Sequence, residues 1–593
     1  LKTLCTDGPN VVSGAKEDAG IVSVATDNQG LRYCVAISHE SHNHPSQVVP
    51  FEGAATGIGG NVRDVSCMGA EVIANADSLR FGESSHPLSQ WIADEAVKGI
   101  ASYSNAIGVP NITGDIYFHA GFNDNCLVTV VSLGILREDH VIHSCAPKNS
   151  KDSVFILVGK PTDNSGFGGA SFASIDLNED NVEHNRAAVQ EPNAFLGRLL
   201  LKANHDLFLT LQKMNAIARV GLKDLGAGGI ACASVEMAES GGVGADIFLE
   251  NVAVSMHHLD PSVILCAETQ ERYLWAVPPD LVDVVLDHYN KKWQLPLISA
   301  GAVATVIGNV REDGRYVVHY RNEILIDARA KDITQGILYD RAIKKPEKNS
   351  VKVHRTETVS RETEQRVFEQ YDKQVQGRTI IERGQADAGV FQPFNSDEYP
   401  AEIQSTGIAL SVACDPNHGV QDAYWTAVNA IVNAVCKVVA VGATPWALTD
   451  CLCFGNPENP EQMYELVSTI RGLKDAAEQI GLLDFENTPL PIVAGNVSLY
   501  NQNKAGKAIP ASPMISCLGR MDDVNTHITP ARKRENSTLI FLGAENIDDG
   551  NDQLPKPNLK QLRESLREFF RLHREGRILS AKQITNGVLA EIT

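Results

Sequence analysis

Short runs of β-branched and other apolar residues alternate along this chain with longer stretches in which apolar positions recur every three or four residues. Residues 33–37, 128–133 and 154–158 have the first pattern and predict strands; residues 194–211 have the second and predict a helix. Interleaving of the two periods predicts an α+β or mixed α/β fold. The longest apolar stretch, near residues 431–448, is interrupted by Lys437, Gly442 and Pro445, so no membrane span is expected from it.

The pattern also repeats. Met68-Gly-Ala-Glu-Val-Ile-Ala-Asn-Ala-Asp-Ser-Leu-Arg-Phe-Gly82 parallels Val441-Gly-Ala-Thr-Pro-Trp-Ala-Leu-Thr-Asp-Cys-Leu-Cys-Phe-Gly455. Gly69 falls on Gly442, Asp77 on Asp450 and Gly82 on Gly455, a constant offset of 373 positions. A second echo follows in the same order, Val109-Pro-Asn-Ile-Thr-Gly-Asp-Ile-Tyr117 against Leu490-Pro-Ile-Val-Ala-Gly-Asn-Val-Ser498, which argues for a duplicated unit. The stretch 341–383, dominated by Lys, Glu, Arg and Gln, reads as a charged linker between the copies, with smaller breaks at 146–152 and 522–536. The expected domains are a first A unit at 1–147, a first B unit at 148–340, the linker at 341–383, a second A unit at 384–525 and an incomplete second B unit at 526–593.

With 593 residues, 43% of them hydrophobic, the chain can bury several cores. Its 52 Lys and Arg against 73 Asp and Glu give a net charge of −21, which argues against nucleic acid as a partner. A phosphorylated small molecule stays open, because backbone amides, local cations and Mg²⁺ can hold phosphate on an acidic protein. Twelve cysteines without a CxxC pair read as reduced core residues, and with no charged-then-apolar segment at the start the expected location is cytoplasmic. The chain begins at Leu1 with a strand-like run close behind, so an upstream segment is expected to be missing.

The densest chemistry is Ser38-His-Glu-Ser-His-Asn-His-Pro45. In an extended strand Glu40, His42 and His44 share one face. A polar strand end and a zinc site are alternatives, although the spacing is not HExxH; Mg²⁺ at Glu40 with acid/base work at a histidine suits the residue types better. Gly53-Ala-Ala-Thr-Gly-Ile-Gly-Gly60 predicts a glycine-rich loop leading into a helix, suited either to phosphate or to close helix packing, with Arg63 and Asp64 directly after it. Lys223-Asp-Leu-Gly-Ala-Gly-Gly229 predicts a turn presenting Asp224 where a strand meets a helix, as a functional carboxylate or a turn cap.

Taken together, Glu40-Ser-His-Asn-His-Pro-Ser46, Gly53-Ala-Ala-Thr-Gly57, Val62-Arg-Asp64, Asp77-Ser-Leu-Arg-Phe-Gly82, Asp224-Leu-Gly-Ala-Gly-Gly229, Glu268-Thr-Gln-Glu-Arg272 and Gly495-Asn-Val-Ser-Leu-Tyr-Asn501 resemble the small-type synthetase subunits of the formylglycinamide ribonucleotide amidotransferase family. The resemblance implies a tandem duplication of an aminoimidazole-ribonucleotide-synthetase-like A–B unit with pseudo-twofold symmetry. It also implies a ligase that uses ATP to activate formylglycinamide ribonucleotide for attack by ammonia, in purine biosynthesis. A separate glutaminase subunit would supply the ammonia, with a small accessory subunit beside it.

By the same resemblance, Glu40, Asp64, Asp224 and Asn496 would ligate Mg²⁺ and His42 would be the catalytic acid/base. Ser41, His42, Asn43, His44, Arg63, Gln190, Glu268, Thr269, Gln270 and Ser498 would hold the ribonucleotide, and Asp450 and Gly495 would hold ATP. Ser38 stands where the family carries a lysine, Thr269 where it carries serine, and Asp115 where glutamate is common. Ser38, with a leading segment and the end of the last domain expected to be absent, motivates the alternative of a catalytically weakened nucleotide-binding scaffold. The single-repeat relatives, aminoimidazole ribonucleotide synthetase, selenophosphate synthetase and thiamine-monophosphate kinase, are the other alternative.

The offset places Glu40 on Ala413, His42 on Asp415 and Asp64 on Lys437, so catalysis is expected in the first copy only. Lys437 is expected either to pair with Asp415 or another local carboxylate, or to neutralise phosphates in a second, mirrored site. Of the Asp224 turn, the second copy keeps only the remnant Gln583-Ile-Thr-Asn-Gly-Val588.

Overall fold

A computed structural model describes residues 2–147, 150–172, 188–347, 361–503, 506–547 and 554–584. The remnant at 583–588 lies outside them beyond Ile584. Strands β1 (Val11–Ser13), β2 (Gly20–Thr26), β3 (Arg32–Ser41), β4 (Glu71–Phe81), β5 (Asn111–Phe118) and β6 (Leu127–Arg137) form a sheet in the order β1-β2-β3-β6-β4-β5. A second sheet holds β7 (Val154–Gly159), β8 (Gly221–Asp224), β9 (Gly244–Phe248), β10 (Arg272–Val277), β11 (Val303–Arg311), β12 (Arg315–Tyr320) and β13 (Glu323–Arg329) in the order β13-β12-β9-β11-β7-β10-β8. The third, of β14 (Thr379–Ile381), β15 (Gly389–Phe391), β16 (Gly407–Ala413), β17 (Thr444–Cys453), β18 (Ile492–Ser498) and β19 (Ser512–Met521), has the order β14-β15-β16-β19-β17-β18.

The first and third sheets therefore share one topology strand for strand, including the parallel pairs β4/β5 and β17/β18 among antiparallel neighbours. The helices obey the sequence offset too: Pro50–Cys67 corresponds to Ala423–Ala440 and Pro87–Ile107 to Pro460–Ile480, each pair equal in length and 373 positions apart. The predicted strands at 33–37, 128–133 and 154–158 lie within β3, β6 and β7, and the predicted helix at 194–211 is Ala194–Lys213. Part of the stretch read as a linker is structured: it contributes the helix Arg361–Phe368 and the edge strand β14.

Alternation along the strands sets the packing. In β7, Ile156 and Val158 join an apolar cluster with the helix Ala194–Lys213, while Phe155 and Leu157 join one with the helix Gly229–Ser240, so this sheet is covered on both faces. In the first sheet, Val128, Val130 and Leu79 face the helices Pro50–Cys67 and Pro87–Ile107, whereas Val35, Ile37, Val131 and Leu133 share a cluster with Leu410, Val412 and Leu518 of the third sheet. The two A-type sheets thus face each other across a common core. Ala423–Ala440 is long and apolar enough to cross a membrane, but 67% of that window is buried inside the protein, among residues of the third sheet and the helix Pro460–Ile480. All twelve cysteines are free, and seven are buried, as expected for reduced core residues.

A composite candidate active site between the two copies

β3 carries Ser38, Glu40 and Ser41 to the edge of the core, and there the chain turns. His42 is the residue before the helix Asn43–Val48, so Glu40, His42 and His44 do not share a strand face; the extended reading fails because the helix starts at Asn43, two positions after Ser41, with Pro45 in its first turn, where a missing N–H leaves no helical bond unmade. The glycine-rich stretch 53–60 is not a loop either. It lies wholly inside the helix Pro50–Cys67, where a Cβ on Gly53 would come within 2.5 Å of the Ser46 nitrogen and one on Gly59 within 2.9 Å of the Tyr103 ring. Those glycines allow close approach of helix and turn, the packing alternative of the two.

The closest convergence joins the copies. Asn496 donates from Nδ2 to Glu40 Oε2 (2.5 Å) and accepts from Ser41 Oγ (2.9 Å), while Asn43 Nδ2 donates to Ser498 Oγ (3.0 Å). His39 and Thr449 are in contact beside them, Nδ1 to Oγ1 at 3.0 Å. Asp450 sits one strand position before Cys451, packed so tightly on Gly495 that a Cβ there would lie 1.8 Å from Asp450 Oδ1. Its Oδ2 is buried without a partner, and burial pushes its carboxyl up to about 7.

A second convergence joins the first sheet to the B unit. Arg63 donates from Nη2 to Gln270 Oε1 (2.5 Å) and stands 3.6 Å from Asp224, at the end of β8, the strand-to-helix junction the sequence predicts. Its Nε, the atom nearest Asp224, and its Nη1 are buried and make no hydrogen bond. Gln190 Nε2 donates to Glu268 Oε2 (2.6 Å), whose other oxygen accepts from the Gly228 and Ala170 amides, and Thr269 Oγ1 donates to Asp163 Oδ1 (2.9 Å).

Between the convergences the charge is unbalanced. Burial raises the carboxyls of Glu40, Asp64 and Asp224 above the ordinary range; repulsion from Asp224 adds to it for the first two, while Arg63 partly offsets it at Asp224. Ser38, at the family's lysine position, donates to Asp64 Oδ2 (3.1 Å). Among the described residues no three His, Cys, Asp or Glu side chains form a closed set of metal ligands. The fit is to Mg²⁺ shared with phosphate, which needs only one or two carboxylates from the protein, and a buried excess of carboxylate is the donor set such an ion takes.

His42 takes a different environment. Its Nδ1 lies 2.5 Å from the Gly53 carbonyl, which can only accept, so the proton is on Nδ1 and Nε2 keeps its lone pair. Burial, opposed by that hydrogen bond, lowers its pKa to about 4. His44 is buried nearby with a pKa lowered to about 4 for the same first reason, desolvation.

Three participants escaped the sequence. Asp18 adds its charge to Glu40, Asp64 and Asp224 and pairs with Lys223, but it sits before a strand with nothing periodic to mark it. Tyr103 donates to Glu271 (2.8 Å), and both act electrostatically on Arg63. Glu271 lies inside the Glu268–Arg272 block, and its left-handed backbone (φ 53°) is a feature only the structure reveals.

In the mirrored site the corresponding positions are filled by cations. Asp77, the counterpart of Asp450, pairs with Arg383 at 2.9 Å; Asp115, the counterpart of Asn496, pairs with Arg80 at 2.7 Å. Lys437 does not pair with Asp415. It donates to the Val412 carbonyl (2.7 Å), and its charge helps to hold Asp115 low.

Comparisons with known proteins agree with this architecture. The family described as AIR synthase related protein, N-terminal domain, matches residues 16–136 and 386–521, and its C-terminal domain matches residues 151–321. The phosphoribosylformylglycinamidine synthase subunit PurL of Methanothrix thermoacetophila is 45% identical over 560 residues, covering 91% of this chain and 71% of that protein. The subunit of the same name from Methanocaldococcus jannaschii is 35% identical, covering 98% and 79%. Among solved structures, T. maritima PurL complexed with FGAR superposes with a TM-score of 0.75 at 28% identity (98% and 84% covered), and the ATP complex with 0.73 at 27% (97% and 82%). The PurLQS structure from Thermotoga maritima gives 0.70 at 28% (89% and 77%). A duplicated A-type sheet, a B unit on the first copy and relatives matched over most of both lengths lead to one conclusion: the chain belongs to the phosphoribosylformylglycinamidine synthase subunit PurL family.

Proposed function

We propose that this chain is the ATP-dependent ligase that converts formylglycinamide ribonucleotide and ammonia to formylglycinamidine ribonucleotide in purine biosynthesis. The observation that carries the reading is the composite site, in which Glu40, Ser41 and Asn43 of the first copy hydrogen-bond Asn496 and Ser498 of the second. Similarity to PurL structures complexed with FGAR and with ATP supports both substrates.

In the reaction, the glycinamide carbonyl oxygen attacks the γ-phosphorus of ATP and ADP leaves. Ammonia then adds to the activated carbon, loses a proton, and inorganic phosphate departs with the former glycinamide oxygen. Arg63, whose buried Nη1 makes no hydrogen bond, takes the substrate's polar face together with Gln270, Thr269, Glu268, Gln190 and the segment Ser41 to His44. Asp450, at Gly495, faces the nucleotide. Neutral His42 accepts the ammonia proton at Nε2, its ring held by Gly53. Glu40, Asp64, Asp224 and Asn496 would hold Mg²⁺, which when bound neutralises the triphosphate. Ser38 orients Asp64 in place of a lysine contact. The first A unit does the chemistry, the B unit at 148–340 closes over the substrate, and the second A unit completes the site.

Ammonia comes from a separate glutaminase subunit with a small accessory subunit beside it, and the likeness to the PurL chain of PurLQS supports such an assembly. Free phosphorylated substrates fit a cytoplasmic location. The test is ATP hydrolysis by the purified chain with ammonium as nitrogen source. Hydrolysis should depend on the formylglycinamide substrate and Mg²⁺, and Asp64→Asn should abolish it while leaving the melting temperature within a few degrees. Near-parental turnover of Asp64→Asn in saturating Mg²⁺ would remove Asp64 from the site, and substrate-independent hydrolysis would reject the reaction.

A further inference from the structure

We propose that a pocket remote from this site, where the helices Pro87–Ile107 and Ala194–Lys213 meet the segment 375–378, binds phosphate, either free or as a small phosphomonoester. The cavity is about 270 Å³ and is lined by Glu71, Gly108, Arg198, Lys202, Gln376 and Arg378 among others. Three cations thus surround one carboxylate on a chain of net charge −21, and that carboxylate is engaged with Arg378 at 3.1 Å.

The duplication supplies an internal control. Arg198 and Lys202 stand five and nine positions after the capping Asn193; Arg563 and Arg567 stand five and nine after the capping Asn558 of the helix Leu559–Arg574. Both helices pack against the C-terminal end of a matched helix, beside Gly108 in one copy and Gly481 in the other. In the second copy the cations are spent. Arg563 donates to the carbonyls of Ile480, Leu482 and Phe485, and Arg567 to Leu483 and to Glu486. In the first copy Arg198 makes one hydrogen bond, to the Ala106 carbonyl at 3.2 Å, and Lys202 has no ion pair or hydrogen bond among the described residues. The same scaffold is therefore closed by protein carbonyls in one copy and left with unused donors in the other.

Two orphaned atoms narrow the ligand. Arg378 Nη1 is buried without a partner, and so is Gln376 Oε1. The Gln376 amide is fixed, because its Nε2 donates to the carbonyls of Val72 (3.1 Å) and Gly108 (3.0 Å) and a flip would oppose oxygen to oxygen. A ligand satisfying all of these groups is anionic, accepts from guanidinium and ammonium, and brings one O–H to donate. Inorganic phosphate carries such a proton at neutral pH, and a phosphomonoester carries one on its monoanion, which ionises at about pH 6; sulfate does not.

The experiment is calorimetric titration of the full chain with inorganic phosphate, with glycerol 3-phosphate and with sulfate at matched ionic strength. Each titration is repeated on the double variant Arg198→Ala/Lys202→Ala. Both side chains are exposed, so the variant should keep its melting temperature and its substrate-dependent ATP hydrolysis. One class of phosphate site should weaken at least tenfold in the variant, and sulfate should bind that class at least tenfold more weakly than phosphate. Tighter binding of the ester identifies a metabolite, and tighter binding of inorganic phosphate identifies the free ion. Unchanged phosphate binding in the variant, no saturable binding by the parent, or equal binding of sulfate would each overturn the assignment.

Discussion

His42 and His44 are two residues apart and both neutral at physiological pH, but His44 is buried whereas His42 is only half-buried, and the proposed mechanism gives them different work. Each ring hydrogen-bonds a backbone carbonyl, Gly53 for His42 and Tyr500 for His44, but His44 is buried while His42 stays partly exposed, which makes the His42 Nε2 the proton acceptor a substrate can reach. His42→Ala should lower turnover by about a hundredfold, the usual scale for a positioned acid/base, whereas His44→Ala should raise the substrate KM with turnover largely kept. Steady-state kinetics with ammonium checks both, and equal losses of turnover at unchanged KM would refute the division. The pH profile carries the same information. Because burial lowers the His42 pKa to about 4, the base stays unprotonated well below the ordinary histidine range, and the acid limb of the turnover profile should not break near 6.5 on its account. The sequence made this pair legible as residue types in the right place. It could not separate them, because a strand pattern assigns both to one face while the chain leaves the strand at Ser41.

The helix Pro50–Cys67 shows the limit at the level of the element. Four glycines in eighteen positions oppose a helix by intrinsic preference, at roughly 1 kcal/mol each, and a loop was the natural reading. Tertiary contact overrides that preference: the bare backbone at Gly53 lets the helix lie against Pro45 and Ser46, and Gly57 leaves room for the His42 side chain. Gly53→Ala should therefore improve local helix propensity and still destabilise, by about 1–3 kcal/mol for an overpacked contact, with a loss of activity larger than the loss of folded protein because the His42 turn is what moves. Chemical denaturation beside kinetics on the folded fraction tests it; a more stable, fully active variant would contradict the packing account. The glycine spacing was visible from the start, but which surface it served depended on a neighbour that the chain reaches only by folding.

Over the whole molecule, duplication was the most legible feature, since the offset of 373 survives as matched helices and as two sheets of one strand order. What filled the mirrored site was not legible. Arg383 lies in a segment read as a linker, and Arg80 looked like part of a repeat motif, yet both are buried counter-ions. Burial pushes the Asp115 carboxyl up, and Arg80, Lys437 and the hydrogen bonds from Arg80 and Ser78 more than reverse it, so the folded value lies below the unfolded one. Its contribution to stability is then complete above the ordinary carboxylate pKa of about 4 and fades as pH falls from there through the depressed value. Asp115→Ala should cost about 3–5 kcal/mol near neutrality by stranding the Arg80 charge, and the gap to the parent should narrow in acid below pH 4. A constant gap across that window would show that the pair does not titrate as described.

Those buried pairs also set how the protein tolerates change. In the composite site a substitution at Glu40, Asp64 or Asn496 removes a group that folding barely needs, so the folded chain should remain abundant and idle. In the mirrored site a substitution at Asp77, Asp115 or Arg383 removes a group that chemistry does not touch but the core cannot spare, so molecules should be lost rather than rates. One ancestral position thus became two kinds of vulnerability, and lineages that diverge at this protein should show its two sites drifting under different rules, one guarded by turnover and the other by survival of the fold.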